Sequence, residues 1–121
     1  MKVAYVVLYV NDPDACLRFW TEQVGMVEKS RMQAGAVSVV KVGFPDQDFS
    51  FELVPLELMK DNPNNLDLAT PSIAFRVENL DDTRAALVAK GVQATEVGAH
   101  PGMASFAFAD NENRWFAVIK G

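Results

Sequence analysis

The chain has 121 residues, half of them hydrophobic, and a formal net charge of −5. That suits one domain with its own core and no disulfide staples. The acidic balance argues against a nucleic-acid partner, which needs a basic face to displace counterions. No apolar run reaches the roughly 18 residues of a membrane span. The single cysteine, Cys16, rules out an intrachain disulfide and reads as a small core residue in a helical pattern. The expected compartment is the cytoplasm.

Residues 3–10 are rich in β-branched and aromatic side chains and predict a buried strand. Asn11, Asp12 and Pro13 end this run with no small-residue cleavage site after it, so a strand explains it better than a signal peptide. Asp12 followed by Pro13 predicts a helix start. Cys16, Phe19, Trp20 and Val24 form its apolar face, and Gly25 is its stop. Residues 26–32, 36–42 and 49–55 read as strands, with a turn over 43–48. Residues 57–69 read as a linker, dense in turn formers at Asp61-Asn62-Pro63-Asn64-Asn65. The pattern then restarts with a strand over 71–77. Asn79 caps a helix through Lys90, with Leu80, Arg84, Leu87 and Val88 at helical spacing and Gly91 as its stop. Strands over 92–97, 103–109 and 115–120 follow. The turn containing Asp110 and Glu112 reads as solvated, as does the Asp81-Asp82 helix start.

The chain is therefore a tandem repeat within one domain: module one over about 1–56, a linker over about 57–69 and module two over about 70–121. Val10-Asn11-Asp12 matches Val77-Glu78-Asn79, an offset of 77 − 10 = 67. Strand alternation assigns the faces. Val6, Leu8 and Val10 pack under the first helix, and Tyr5, Val7 and Tyr9 face away. Ile73, Phe75 and Val77 pack under the second helix, and Ser72, Ala74 and Arg76 face away. In the last strand of each module, Phe51 and Leu53 play the part of Phe116 and Val118, leaving Glu52 and Ala117 on the opposite face. Each module is a curved sheet with a helix on one side, and the two helix-free faces are expected to line a cleft.

Three stretches together resemble the vicinal oxygen chelate superfamily, which includes glyoxalase I, bleomycin-resistance proteins and extradiol dioxygenases. They are Asn11-Asp12-Pro13-Asp14 with Phe19-Trp20 and Val24-Gly25-Met26; Ile73 through Leu80; and Phe108 through Trp115. The last is similar to the family's Asp-Pro-Asp-Gly-Asn turn, with proline and glycine both replaced. The resemblance spans nearly the whole chain. It implies an α+β fold of two tandem βαβββ modules whose curved mixed sheets surround a cleft. In metal-using members it implies ligands at one position on the first and one on the last strand of each module. Here those positions hold Tyr5, Glu52, Ser72 and Ala117. Three of the four depart from the usual His, Gln or Glu, so the expectation is no metal and no cofactor.

The candidate ligand-binding residues are Tyr5, Tyr9, Glu52, Ser72, Arg76 and Trp115, and the candidate catalytic groups are Glu52 and His100. Glu52 reads equally as a cleft carboxylate or as one paired with Arg76 or with a neighbouring chain. Tyr5 and Tyr9 could stack on a ligand or serve ordinary sheet packing. Trp115 beside Ala117 makes a wall and floor for a flat group, with a subunit interface as the equal competitor. His100 could titrate near neutrality but sits in a loop-like Gly98-Ala99-His100-Pro101-Gly102 run, where an exposed histidine is the commoner outcome. Arg76 could hold an anion or pair with Glu52.

The resemblance then implies a metal-free protein that binds a small aromatic or cationic molecule in a cleft, as bleomycin-resistance proteins do. The alternative is an enzyme of the superfamily, a glyoxalase-like lyase or isomerase or a dioxygenase, with an atypical or metal-free site. A structural dimer with a vestigial cleft is the third class. The expected partners are a small-molecule ligand and a second copy of the chain, without nucleic acid or membrane.

Overall fold

A computed structural model describes residues 1–100 and 103–121, apart from the side chains of Ala34, Ala99 and His100. The chain divides into two compact units, Met1–Thr70 and Pro71–Gly121. Each carries one βαβββ module, and the fold class is α+β.

In the first unit, β1 (Val6–Val10) runs parallel to β4 (Phe51–Pro55), pairing Val6 with Phe51 and Val10 with Pro55. The strands β2 (Val27–Ala34) and β3 (Val37–Gly43) complete a sheet of order β1-β4-β3-β2. The helix α1 (Pro13–Arg18) starts as the sequence predicts. The Asp12 carboxylate accepts from the Ala15 N–H at 3.1 Å, and Pro13 needs no partner in the first turn. Beyond Arg18 the helix widens into a π-helical segment, Phe19–Val24, ending at Gly25 with φ 98°. The Thr21 hydroxyl donates to the Leu17 carbonyl at 2.8 Å, a back-bond of the kind that bends helices. Leu8, Val10, Val40, Val42, Phe51 and Leu53 of the sheet are buried with Cys16, Phe19 and Trp20 of the helix. Trp20 anchors this core, with ring centroids 5.2 Å from Phe19 and 5.1 Å from Phe51.

The second unit repeats the plan. The strand β5 (Ala74–Val77) runs parallel to β8 (Trp115–Lys120), followed outward by β7 (Met103–Ala109) and β6 (Gly98–His100). The helix α2 (Leu80–Ala89) is capped by Asn79, whose side chain accepts from the Asp82 N–H at 2.9 Å. Leu80 and Leu87 are buried, together with Val92, Phe106, Phe108, Phe116 and Val118. Phe108 stacks on Phe116 at 5.7 Å.

Four expectations are corrected. The strands expected to open at 3 and 71 begin at Val6 and Ala74; β1 starts where its partner β4 starts, at Phe51, whereas β5 starts opposite Ala117, two residues into β8. The strand expected over 92–97 is irregular, and β6 lies at Gly98–His100 instead. Here the Thr95 hydroxyl accepts the Ala107 N–H at 3.0 Å and so takes over a ladder bond, while Arg84 Nε donates to the Thr95 carbonyl at 2.7 Å. Val88, placed on the apolar helix face by spacing, is exposed. Finally, the Asp110 turn is not solvated: the Asp110 side chain is 0% exposed and Arg114 is 11% exposed. Asp110 Oδ1 accepts the N–H groups of Glu112 and Arg114 at 2.9 and 2.8 Å, and the Arg114 guanidinium pairs with Asp110 at 3.1 Å and Glu112 at 2.9 Å. Burial works against the Arg114 charge, but Glu112 and Asp110 outweigh it and hold the guanidinium above its ordinary range.

Candidate functional site

Strand register fixes what the helix-free faces carry, because directly opposed residues share a face. In the first unit Val7, Glu52, Lys41 and Ser30 lie opposite one another in a row across β1, β4, β3 and β2. In the second unit Ala74, Ala117 and Ala107 form the corresponding row across β5, β8 and β7. Val7 opposes Glu52 as Ala74 opposes Ala117, and 74 − 7 equals the sequence offset of 67. Tyr5 and Ser72 each lie two residues before these row members in the sequence, ahead of β1 and β5.

The first row is charged. The Lys41 ammonium lies 3.9 Å from Glu52 Oε2 and 4.1 Å from the centre of the Tyr5 ring. Lys41 is one-third exposed and Glu52 is 15% exposed, so the pair is partly screened from water. Tyr5 itself is 39% exposed, and Tyr9 on the same face is half-buried. The structure therefore brings Tyr5 and Glu52 together through Lys41, a residue the sequence analysis did not single out. Its signal was present: Lys41 lies between buried Val40 and Val42 just as Glu52 lies between buried Phe51 and Leu53.

The second row is small and uncharged. Ala74 is exposed and Ala107 and Ala117 are half-buried, a floor that ends at the Cβ atoms. Trp115, opposed by Ala109, borders it on one side and is 46% exposed. Arg76, Ile119 and Ser105 form the next row on the other side. Arg76 is exposed, and a Cβ placed on Gly121 would run into its side chain. Ser72 is exposed ahead of β5. The side chain of His100 lies outside the described residues.

The four metal-ligand positions implied by the family resemblance do not fit a divalent ion. Ala117 has no donor atom and Ser72 offers only a neutral hydroxyl. The Glu52 carboxylate and the Tyr5 ring face an ammonium from the same chain. Among the described residues no three His, Cys, Asp or Glu side chains form a group that could hold a metal. No helix among the described residues is long and apolar enough to cross a membrane.

A family model described as the Glyoxalase/Bleomycin resistance protein/Dioxygenase superfamily matches residues 2–118. No curated protein matches the sequence. Among solved structures, the chain is similar to a member of the Glyoxalase/bleomycin resistance protein/dioxygenase superfamily from Sphaerobacter thermophilus DSM 20745. The TM-score is 0.84 at 19% identity, covering 100% of this chain and 98% of that one. It is also similar to TnmS3, an antibiotic binding protein from Streptomyces sp. CB03234, with a TM-score of 0.82 at 18% identity, covering 99% of this chain and 95% of that one. A glyoxylase/bleomycin resistance protein/dioxygenase domain from Frankia sp. EAN1pec gives a TM-score of 0.77 at 24% identity, covering 100% and 92%. At these identities the structural likeness carries the fold alone.

Proposed function

Because the chain belongs to the Glyoxalase/Bleomycin resistance protein/Dioxygenase superfamily, we propose that it is a binding protein that takes up a small aromatic or cationic molecule without a metal ion. The observation that carries this reading is Trp115. A large indole stands 46% exposed beside Ala117 and the alanine row, a wall and floor shaped for a flat ring. The donor set at Tyr5, Glu52, Ser72 and Ala117 supports the metal-free part, since it lacks the three protein ligands a divalent ion needs. The likeness to an antibiotic binding protein is in keeping with it. The reading includes a homodimer in the cytoplasm. Exposed Val27 and Met32 on the edge strand β2 offer apolar surface for a second copy.

The test is a tryptophan fluorescence titration with flat aromatic compounds, neutral and cationic. Trp20 is buried and Trp115 is exposed, so a ligand-induced change is expected to come from Trp115. The change should disappear in Trp115→Phe. A change that persists undiminished in that variant, or no change with any compound, would overturn the reading. Sedimentation equilibrium checks the dimer separately.

A further inference from the structure

We infer that Tyr5 and Glu52 form a binding site for an alkyl ammonium group, and that the chain itself fills this site with Lys41. The inference rests on the small-molecule reading above and names a chemical class of ligand, an alkyl ammonium, for the face of the first unit. Recognition of an ammonium ion asks for an aromatic face and a carboxylate within reach of one point. The Lys41 nitrogen marks such a point, 4.1 Å from the Tyr5 ring centre and 3.9 Å from Glu52 Oε2. Tyr5 and Glu52 are also the two positions of module one at which the family resemblance implies ligands.

The second module gives an internal control. Its counterparts of Glu52 and Lys41 are Ala117 and Ala107, which oppose each other in the same register. The acid and the lysine occur together in one module and are both missing from the other, as expected of a pair in which each neutralises its partner. Lysine is also suited to yield: its four-carbon stem is flexible, and Lys41 is one-third exposed at the sheet surface. A ligand ammonium would take its place over Tyr5 and against Glu52 while the Lys41 head moves into water.

Self-filling has a measurable consequence. A site open only for a fraction of the time shows an affinity reduced by that fraction. Removing the lysine head should therefore tighten binding of an ammonium ligand. The experiment titrates the wild-type chain, Lys41→Met, Lys41→Gln and Glu52→Gln with 1-naphthylmethylammonium and with neutral 1-naphthalenemethanol, read by NMR of the Tyr5 ring. Lys41→Met is expected to bind the ammonium about tenfold more tightly than wild type, given one cation–π contact and one partly exposed ion pair to displace. The alcohol should change less than about twofold, because it gains only space and no charge partner. Glu52→Gln should remove the preference for the ammonium. Lys41→Gln repeats the test should Lys41→Met fold poorly. An equal gain for both compounds, or no gain for the ammonium, overturns the inference while leaving the aromatic reading intact. If neither compound binds any variant, both readings fall.

Discussion

The Lys41 ammonium sits 4.1 Å from the centre of the Tyr5 ring, joining a residue just ahead of β1 to the third strand of the same sheet. Tyr5 lies outside the β-ladder, so this contact helps fix where the chain enters the sheet. A double-mutant cycle of Tyr5→Leu and Lys41→Met, measured by urea unfolding, should give a favourable coupling of about 0.5–1 kcal/mol. The Lys41–Glu52 pair is partly exposed, and its own coupling should be no more than about 1 kcal/mol and fall with added salt. A zero coupling for Tyr5 and Lys41 would mean that the ring and the ammonium do not meet in solution.

The two tryptophans should separate stability from binding. Trp20 is fully buried between Phe19 and Phe51, so Trp20→Ala should cost about 3–5 kcal/mol through lost burial and the cavity left behind. Trp115 is 46% exposed, so Trp115→Ala should move stability by only about 0.5–1 kcal/mol. Urea midpoints at constant m-value measure both. Comparable losses from the two substitutions would show that Trp115 is a core residue, which would also remove the basis for a ligand-facing wall.

Much of the fold was legible because binary patterns are strong where a sheet has one buried face. The alternation that set Leu8, Val10, Phe51 and Leu53 against Tyr5, Val7, Tyr9 and Glu52 gives the faces the register later fixes. The glycine stops at Gly25 and Gly91 lie at φ 98° and 84°, where only a residue without a Cβ is at ease. What sequence reading missed is cross-strand. Lys41 is a single charge in a β-branched run, and only the pairing of β3 with β4 puts it beside Glu52. The irregular run before β6 was hidden in a similar way. It depends on the Thr95 side chain replacing a backbone acceptor, which no propensity scale records.

The turn between β7 and β8 should be a sensitive point of the second unit. Asp110 is fully buried, and Arg114 bridges it to Glu112. Arg114→Met leaves a buried carboxylate without its counter-charge and should destabilise by about 3–5 kcal/mol. Asp110→Asn keeps one acceptor for the Glu112 and Arg114 N–H groups and should cost less. Thermal unfolding of the two variants ranks them, and the reverse order would contradict the buried geometry.

The two arginine–carboxylate clusters should act at opposite ends of the pH scale. Glu28 is held below its ordinary carboxylate range by the hydrogen bond from Arg31, with burial opposing and the Arg31 charge adding to it. A lowered folded-state value stabilises above the unfolded pKa, and that contribution is lost as pH falls through the folded one. Arg114 is raised, so its contribution is fully present below the unfolded guanidinium value and is lost only in strong alkali. Stability curves of wild type and Glu28→Gln should therefore converge on acidification. An Arg114→Met deficit should persist across the neutral range. A wild-type advantage over Glu28→Gln that grows in acid would reverse the sign and refute the assignment.

Asn113 sits in the same turn at φ 62°, in the left-handed region, and donates its N–H to the Asp110 carbonyl at 3.2 Å. The family turn has glycine at this point, and asparagine is among the few other residues that adopt this conformation readily. Asn113→Ala should therefore cost about 1–2 kcal/mol, since alanine carries a Cβ into a left-handed conformation without a polar side chain to compensate. Asn113→Gly should stay within about 1 kcal/mol of wild type, because the relief in the folded turn is offset by the greater freedom of glycine in the unfolded chain. Chemical unfolding of both variants checks the contrast. Equal effects would mean that the turn does not hold Asn113 left-handed, and the Asp110–Arg114 bonds that close across it would then need a different backbone path.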